Sequence, residues 1–296
     1  MSERPIFKGL IIFLILGALF FTGIYWIVRL SEGGGPGLGD RIALVRIEGV
    51  ILDAADTLEE LKRYKDNPSV KAILLRIDSP GGAVVPSQEI YEEIKKIKKQ
   101  TGKKIIVSMG TVAASGGYYI ASASDRIVAN PGTLTGSIGV IMELMNVEGL
   151  LKKVGLESVI IKSGARKDVG SPFRTMTLSE KEYLQSVMDD VHAQFIDAVV
   201  KGRGLRREAV VALADGRVFT GRQAMENKLV DELGDLDDAL HVAGKMAGIQ
   251  GEPRIIETKK KFSLFDLFKT EFLGNSRLLG LSKTQAPGLN YLWAVE

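Results

Sequence analysis

The stretch "MGTVAASGGYYIASASD", residues 109–125, is built from small residues around Ser115, with two tyrosines and no charged side chain before Asp125. The apolar run ahead of it, "IIVSMG", reads as a strand, and a helix is expected to follow. A serine at a sharp strand-to-helix turn, with Ala113 two residues before it and Gly117 two after, has the mechanics of a nucleophile elbow. Larger neighbours would clash with the crossing backbone at such a turn. The amide of Gly116 would lie at a helix start, unpaired and able to stabilise an oxyanion. A tight helix crossing with no chemistry has the same local composition, so this pattern needs a second one. "RIDSPGGAV", residues 76–84, supplies it by placing Gly81 and Gly82 directly after a strand. Strand ends of an α/β sheet converge on one crevice. A glycine pair there can bare backbone amides for the other half of an oxyanion hole, although an ordinary Pro-Gly turn has the same local sequence.

Ser115 would need a base. The chain has no cysteine, which excludes disulfides, thiolate catalysis, Cys-ligated zinc and iron–sulfur clusters. His192 and His241 are its two histidines; both fall within helical patterns and read as structural, and so small a number argues against a His-rich metal site. A lysine can replace histidine where burial lowers its pKa toward neutrality. "IIKSGARKDVGSPF", residues 160–173, offers Lys162, Arg166 and Lys167. Side-chain chemistry alone selects neither lysine over the other.

These residues require a scaffold. The 296 residues suit one large α/β domain with an appendage, and 45% hydrophobic against 25% charged residues supports a real core. A net charge of +3 is too mild to argue for nucleic acid. "RIALVRIEG", "VKAILLRID", "KKIIVSMG" and "SVIIKSG" read as strands. "AADTLEELKRYKDN" and "SQEIYEEIKKIKKQ" read as amphipathic helices between them, the second with Ile90, Ile94 and Ile97 on one face. Strands alternating with helices of this length predict βαβ units and a mainly parallel sheet. Thr177 and Glu180 form a capping box ahead of a long helix with Leu184, Val187, Met188, Val191, Phe195 and Val199 as its apolar stripe. A shorter helix, a turn at Asp215-Gly216 and a final helix near 235–248 close the domain. No internal repeat is visible.

The N-terminus has a different character. No charge occurs between Lys8 and Arg29, and residues 9–28 are apolar on all faces. Twenty residues span about 30 Å as a helix, the thickness of a bilayer core. The expected layout is a cytoplasmic segment 1–8, a transmembrane anchor 9–29, a Gly-rich linker 30–40, a catalytic-fold domain 41–257 and a tail 258–296. Arg4 and Lys8 ahead of the span favour an extracytoplasmic domain. The tail's "KKKFSLFDLFKTEF" has Phe at helical spacing and suits a membrane surface, a partner chain or its own domain.

Taken together, "GTVAASGGYYIASASDRIVANPGTLTGSIGVI", "RIDSPGG", "KSGARKDVGSPFR" and "GRVFTGRQAMENKLVDELGD" resemble the bacterial signal peptide peptidase family, also called protease IV, over residues 41–250. One span and one domain resemble its short form. The resemblance implies a Clp-protease/crotonase-like α/β fold behind an N-terminal transmembrane helix. It also implies a plasma-membrane serine protease that degrades remnant signal peptides with a Ser-Lys dyad and no cofactor. By motif position Ser115 is the nucleophile, Lys167 the base, Ser137 of "TGSIGV" the residue that orients the lysine, and Gly82 and Gly116 the oxyanion donors. The short form implies a homo-oligomeric ring with Ser and Lys from neighbouring chains. A related protease cutting stomatin-like partners, and a silent oligomeric scaffold, are the competing readings. One departure is visible: the family usually has Gly before "LVD", where this chain has Lys228. Asn227 is expected to take the left-handed, helix-ending position instead.

Overall fold

The computed structural model describes residues 5–29, 40–258 and 290–292. It divides into two units, 1–39 and 40–296. The first contains α1 (Pro5–Arg29), whose side chains are described for residues 13–25. Among the described residues no helix is long and apolar enough to cross a membrane. The expected linker 30–40 lies outside the described residues except for Asp40, and so does "KKKFSLFDLFKTEF".

The second unit runs β1 (Arg41–Glu48), α2 (Ala55–Asp66), β2 (Val70–Ser79), β3 (Gly81–Ala83), α3 (Val84–Thr101), β4 (Lys104–Ala114), α4 (Gly116–Ala121), β5 (Arg126–Ala129), β6 (Leu134–Gly136) and α5 (Glu148–Lys153). It continues with α6 (Leu178–Arg203), α7 (Arg207–Val211), β7 (Val218–Thr220), α8 (Gly221–Glu226), β8 (Glu232–Leu233), α9 (Leu236–Met246), β9 (Arg254–Glu257) and β10 (Asn290–Leu292). The main sheet has the order β7-β6-β4-β2-β1-β9, with β5 also beside β4 and β8 beside β5. All its pairings are parallel except β6 with β7.

Successive side chains of a strand point to opposite faces. In β1, Ala43, Val45 and Ile47 therefore enter the larger core with Leu61 of α2 and Ile90, Ile94 and Ile97 of α3. Ile42 and Leu44 face the other way, with Leu74, Ile106 and Val128, against Ala239 and Ala243 of α9. Burial on both faces explains the unbroken apolar runs in the strand sequences. Each such side chain removed from water contributes about 1.5–3 kcal/mol.

β4 is the strand that matters for the site. Its first half pairs with β5, from Ile106↔Arg126 to Met109↔Ala129, and its end pairs with β6, from Val112↔Leu134 to Ala114↔Gly136. The register against β2 breaks between Ile77 and Ser79, and the carboxylate of Asp78 accepts from the Val112 amide at 3.1 Å. The strand thus changes neighbours just before Ser115. After the turn, α4 is wholly buried, and a Cβ on Gly202 of α6 would lie 1.9 Å from the Ser122 carbonyl oxygen. Small residues here let α6 cross the chain that leaves α4.

Two expectations are corrected. "SVIIKSG" is not a strand: residues 158–164 have no ladder partner, and Val159 and Ile161 are 79% and 97% exposed. Its β-branched residues signalled a strand, but no neighbouring strand of this chain reaches it, and an unpaired strand is not stable alone. At the end of α8, Asn227 keeps φ −88° and Lys228 itself takes φ 61°. The left-handed turn is retained where the related motif has glycine, at a cost of roughly 1–2 kcal/mol for a residue with a Cβ.

Candidate active site

Ser115 leaves β4 with φ 52° and ψ −115° and caps α4, whose Tyr119 amide donates to its carbonyl at 2.8 Å. A non-glycine residue in this region carries strain of order 1–3 kcal/mol. The Ser115 hydroxyl makes no hydrogen bond among the described residues. Ser137 leaves the adjacent strand β6 in the same manner, with φ 49°. The two strands are in register at Ala114↔Gly136, and the Ser115 amide donates to the Gly136 carbonyl at 2.8 Å. Ser115 and Ser137 are therefore neighbours at the ends of parallel strands. The Ser137 amide is fixed by the Arg217 carbonyl at 2.9 Å.

The second loop approaches from β3. The Gly81 carbonyl accepts from Ile51 at 2.9 Å, and the Ala83 amide donates to Ile51 at 2.7 Å. Alternation along an extended chain then turns the N–H and C=O of Gly82 to the opposite edge. Gly81 has φ 99°, and a Cβ there would lie 2.7 Å from the Gly116 nitrogen. The two glycine segments are thus in contact. Gly116 is confined in turn by Ser87, whose hydroxyl would be 2.6 Å from a Gly116 Cβ and donates to the Ala83 carbonyl at 2.9 Å. Ser87 was missed in the sequence because a single small residue in the first turns of an amphipathic helix carries no signal.

The lysines are distinguished by their partners. Lys162 donates to the Ala165 carbonyl at 2.9 Å and is ion-paired with Asp168. Its ammonium is thus engaged within its own turn. Arg166 lies over the Tyr183 ring, 4.7 Å from its centroid. The Lys167 amide donates to the Gly164 carbonyl at 3.1 Å, but its side chain is exposed and makes no hydrogen bond or ion pair among the described residues. Its turn is braced on both sides. Asp168 receives Arg174 Nε at 2.7 Å, and Arg174 holds Glu180 at 2.5 Å. The Arg174 guanidinium and the Thr177 amide pull the Glu180 carboxyl down to about 2, and Arg174 and Lys162 hold Asp168 well below its usual range. Glu180 also closes the capping box of α6, as expected. Within one chain, no hydrogen bond joins Lys167 to Ser115.

Neither histidine substitutes for it. His241 is exposed and binds the Asp237 carbonyl at 2.8 Å. His192 has Nε2 buried with no hydrogen-bond partner, and neither ring hydrogen-bonds to Ser115 among the described residues. Among the described residues no group of His, Asp or Glu side chains is arranged to hold a metal ion.

Residues 97–250, which carry the serine turn, both strand ends and the braced lysine segment, match the model of peptidase family S49. The chain belongs to peptidase family S49. It is a serine protease with a Clp-protease-like α/β fold, and residues 51–132 also match the Clp protease model. Among its S49 relatives is a protein of Synechocystis sp. named as a protease, 44% identical over 232 residues and covering 78% of each chain. A protein of Enterococcus faecium named as a signal peptide peptidase is 38% identical over 259 residues, 83% of this chain and 73% of the relative. A protein of Methanocaldococcus jannaschii named as a protease is 35% identical over 284 residues, 90% of this chain and 89% of the relative.

Proposed function

We propose that the chain is a membrane-anchored endopeptidase that degrades apolar peptides, signal peptide remnants above all, with Ser115 and Lys167 as a dyad. The observation that carries this reading is the convergence of two strained serines, Ser115 and Ser137, with the bare glycine segments at 81–82 and 116. Neutral Lys167 takes the Ser115 proton as Oγ bonds to the scissile carbonyl carbon. The amides of Gly82 and Gly116 hold the oxyanion. As the intermediate collapses, the carbon–nitrogen bond breaks and Lys167 returns the proton to the leaving amine. Water, deprotonated by Lys167, then attacks the acyl ester and frees Ser115. Ser137 orients the lysine.

A lysine acts as a base near neutral pH only when removed from water. Lys167 is exposed in one chain, as are the apolar side chains of Leu156, Val159 and Ile161 just before it. Both features support a ring in which a neighbouring chain's Lys167 is buried against Ser115. The apolar run at residues 9–28 and the helix Pro5–Arg29 support a single-pass anchor in the bacterial plasma membrane. The name of the Enterococcus relative supports the substrate class.

Cleavage of a synthetic signal peptide by the detergent-solubilised full chain tests the reading. Ser115→Ala and Lys167→Ala are each expected to lower kcat at least about 10³-fold, and Lys162→Ala to retain activity. Undiminished turnover in either of the first two removes the dyad.

A further inference from the structure

β4 reaches Ser115 through a bend that interrupts its ladders on both sides. Against β2 the register runs to Ile77↔Met109 and resumes at Ser79↔Ala113. One residue of β2, Asp78, therefore faces three of β4, Gly110, Thr111 and Val112. On its other side β4 leaves β5 at Met109↔Ala129 and meets β6 at Val112↔Leu134. A bulge of this kind bends the strand and leaves backbone groups without ladder partners, which must then be satisfied otherwise.

Four side chains bond to the backbone of the bend. The Arg76 guanidinium donates to the Met109 carbonyl at 3.0 Å. Thr133, in the connection from β5 to β6, donates to the Gly110 carbonyl at 2.7 Å. The Asp78 carboxylate accepts from the Val112 amide at 3.1 Å, and Thr135 donates to the Ala113 carbonyl at 2.7 Å. Both threonines are buried. Gly110 makes room for Asp78, since a Cβ there would lie 2.6 Å from the carboxyl carbon.

The bend decides where Ser115 stands. With Ala113 opposite Ser79, Ser115 falls level with Gly81, two residues farther along both chains. An unbroken register would put Thr111 opposite Ser79 and carry Ser115 two residues onward, about 6–7 Å at the rise of a parallel strand. The contact between Gly81 and the Gly116 nitrogen depends on the shorter reach. We propose that Arg76, Asp78, Thr133 and Thr135 are positioning residues that hold Ser115 level with the glycine segment 81–82, and that kcat depends most on Asp78. Asp78 joins the strand that leads to the glycine segment directly to the strand that carries the serine. This rests on the protease reading above and adds to it the residues that align its two halves.

The test compares Asp78→Ala and Asp78→Asn in the detergent-solubilised full chain, with the synthetic signal peptide as substrate, at a temperature where circular dichroism shows each variant folded. A nucleophile displaced by about 1 Å loses roughly 10²-fold in rate. Asp78→Ala is therefore expected to lower kcat about 10- to 100-fold with KM within about twofold of the parent. Asp78→Asn keeps an oxygen that can accept from Val112, and is expected to stay within about threefold of the parent. A merely structural role would lower stability and leave the kcat of folded Asp78→Ala at the parental level, which overturns the proposal. Asp78→Asn as slow as Asp78→Ala overturns the acceptor role, and a raised KM at parental kcat would move these residues to substrate binding and overturn it too. If Asp78→Ala does not fold, Thr135→Val and Thr135→Ser decide by the same criteria: loss of kcat in the first and recovery in the second are expected, and parental kcat in Thr135→Val overturns the proposal. Hydrolysis that requires Ser115 but is indifferent to Asp78 and Thr135 refutes this inference alone; hydrolysis that survives Ser115→Ala refutes the protease reading.

Discussion

At the scale of single residues, the site is defined by backbone conformations that ordinary side chains avoid. Ser115 and Ser137 both hold positive φ, and Gly81 must be glycine, because its φ of 99° and the neighbouring Gly116 nitrogen leave no place for a Cβ. Ser115→Gly should relieve strain of order 1–3 kcal/mol, less about 0.5–1 kcal/mol of glycine entropy. The expected result is a thermal midpoint raised by about 2–4 °C per kcal/mol gained, with hydrolysis abolished. An unchanged or lower midpoint would mean that the serine turn is not strained. The sharp serine turn was legible in the sequence because its mechanics demand small residues in a run, and such a run is rare. The partner Ser87 was not legible, since one serine in a helix leaves no pattern.

At the scale of elements, the alternation of strands and helices was readable because both faces of the sheet are covered, which forces continuous apolar strands and one-sided helices. β1, α2, β2 and α3 fall within a few residues of where periodicity puts them. "SVIIKSG" misled because β propensity reports a preference for a pleated, half-covered surface, and this chain by itself provides none. The segment is ordered instead by charge: Lys162, Asp168, Arg174 and Glu180 tie the Lys167 turn to the start of α6. Glu180 titrates at about 2 in the fold against an ordinary 4.5. A carboxyl depressed by folding contributes stability that is complete above the ordinary value and is lost as pH falls through the folded one. Hydrogen exchange of residues 164–180 should therefore stay protected at pH 5 and rise progressively between pH 4.5 and 2. Loss of protection confined to the range above pH 5 would assign the order of this turn to other groups.

At the scale of the whole molecule, one chain brings together Ser115, its neighbour Ser137 and the glycine segments at 81–82 and 116, but leaves Lys167 exposed. The exposed apolar residues Leu156, Val159 and Ile161 lie directly before that lysine. A face of this kind, rimmed by polar groups, marks an interaction surface. A repeated head-to-tail contact that closes into a ring would cover it and deliver each lysine to the next chain's serine. The most direct measurement is peptide hydrolysis by oligomers assembled from equal amounts of co-expressed Ser115→Ala and Lys167→Ala chains. Each variant alone should be inactive. In the mixture, about one junction in four pairs an intact serine with an intact lysine, so about a quarter of parental activity should return. A mixture as inactive as its components would contradict a site shared between chains, and activity in either variant alone would contradict the dyad itself.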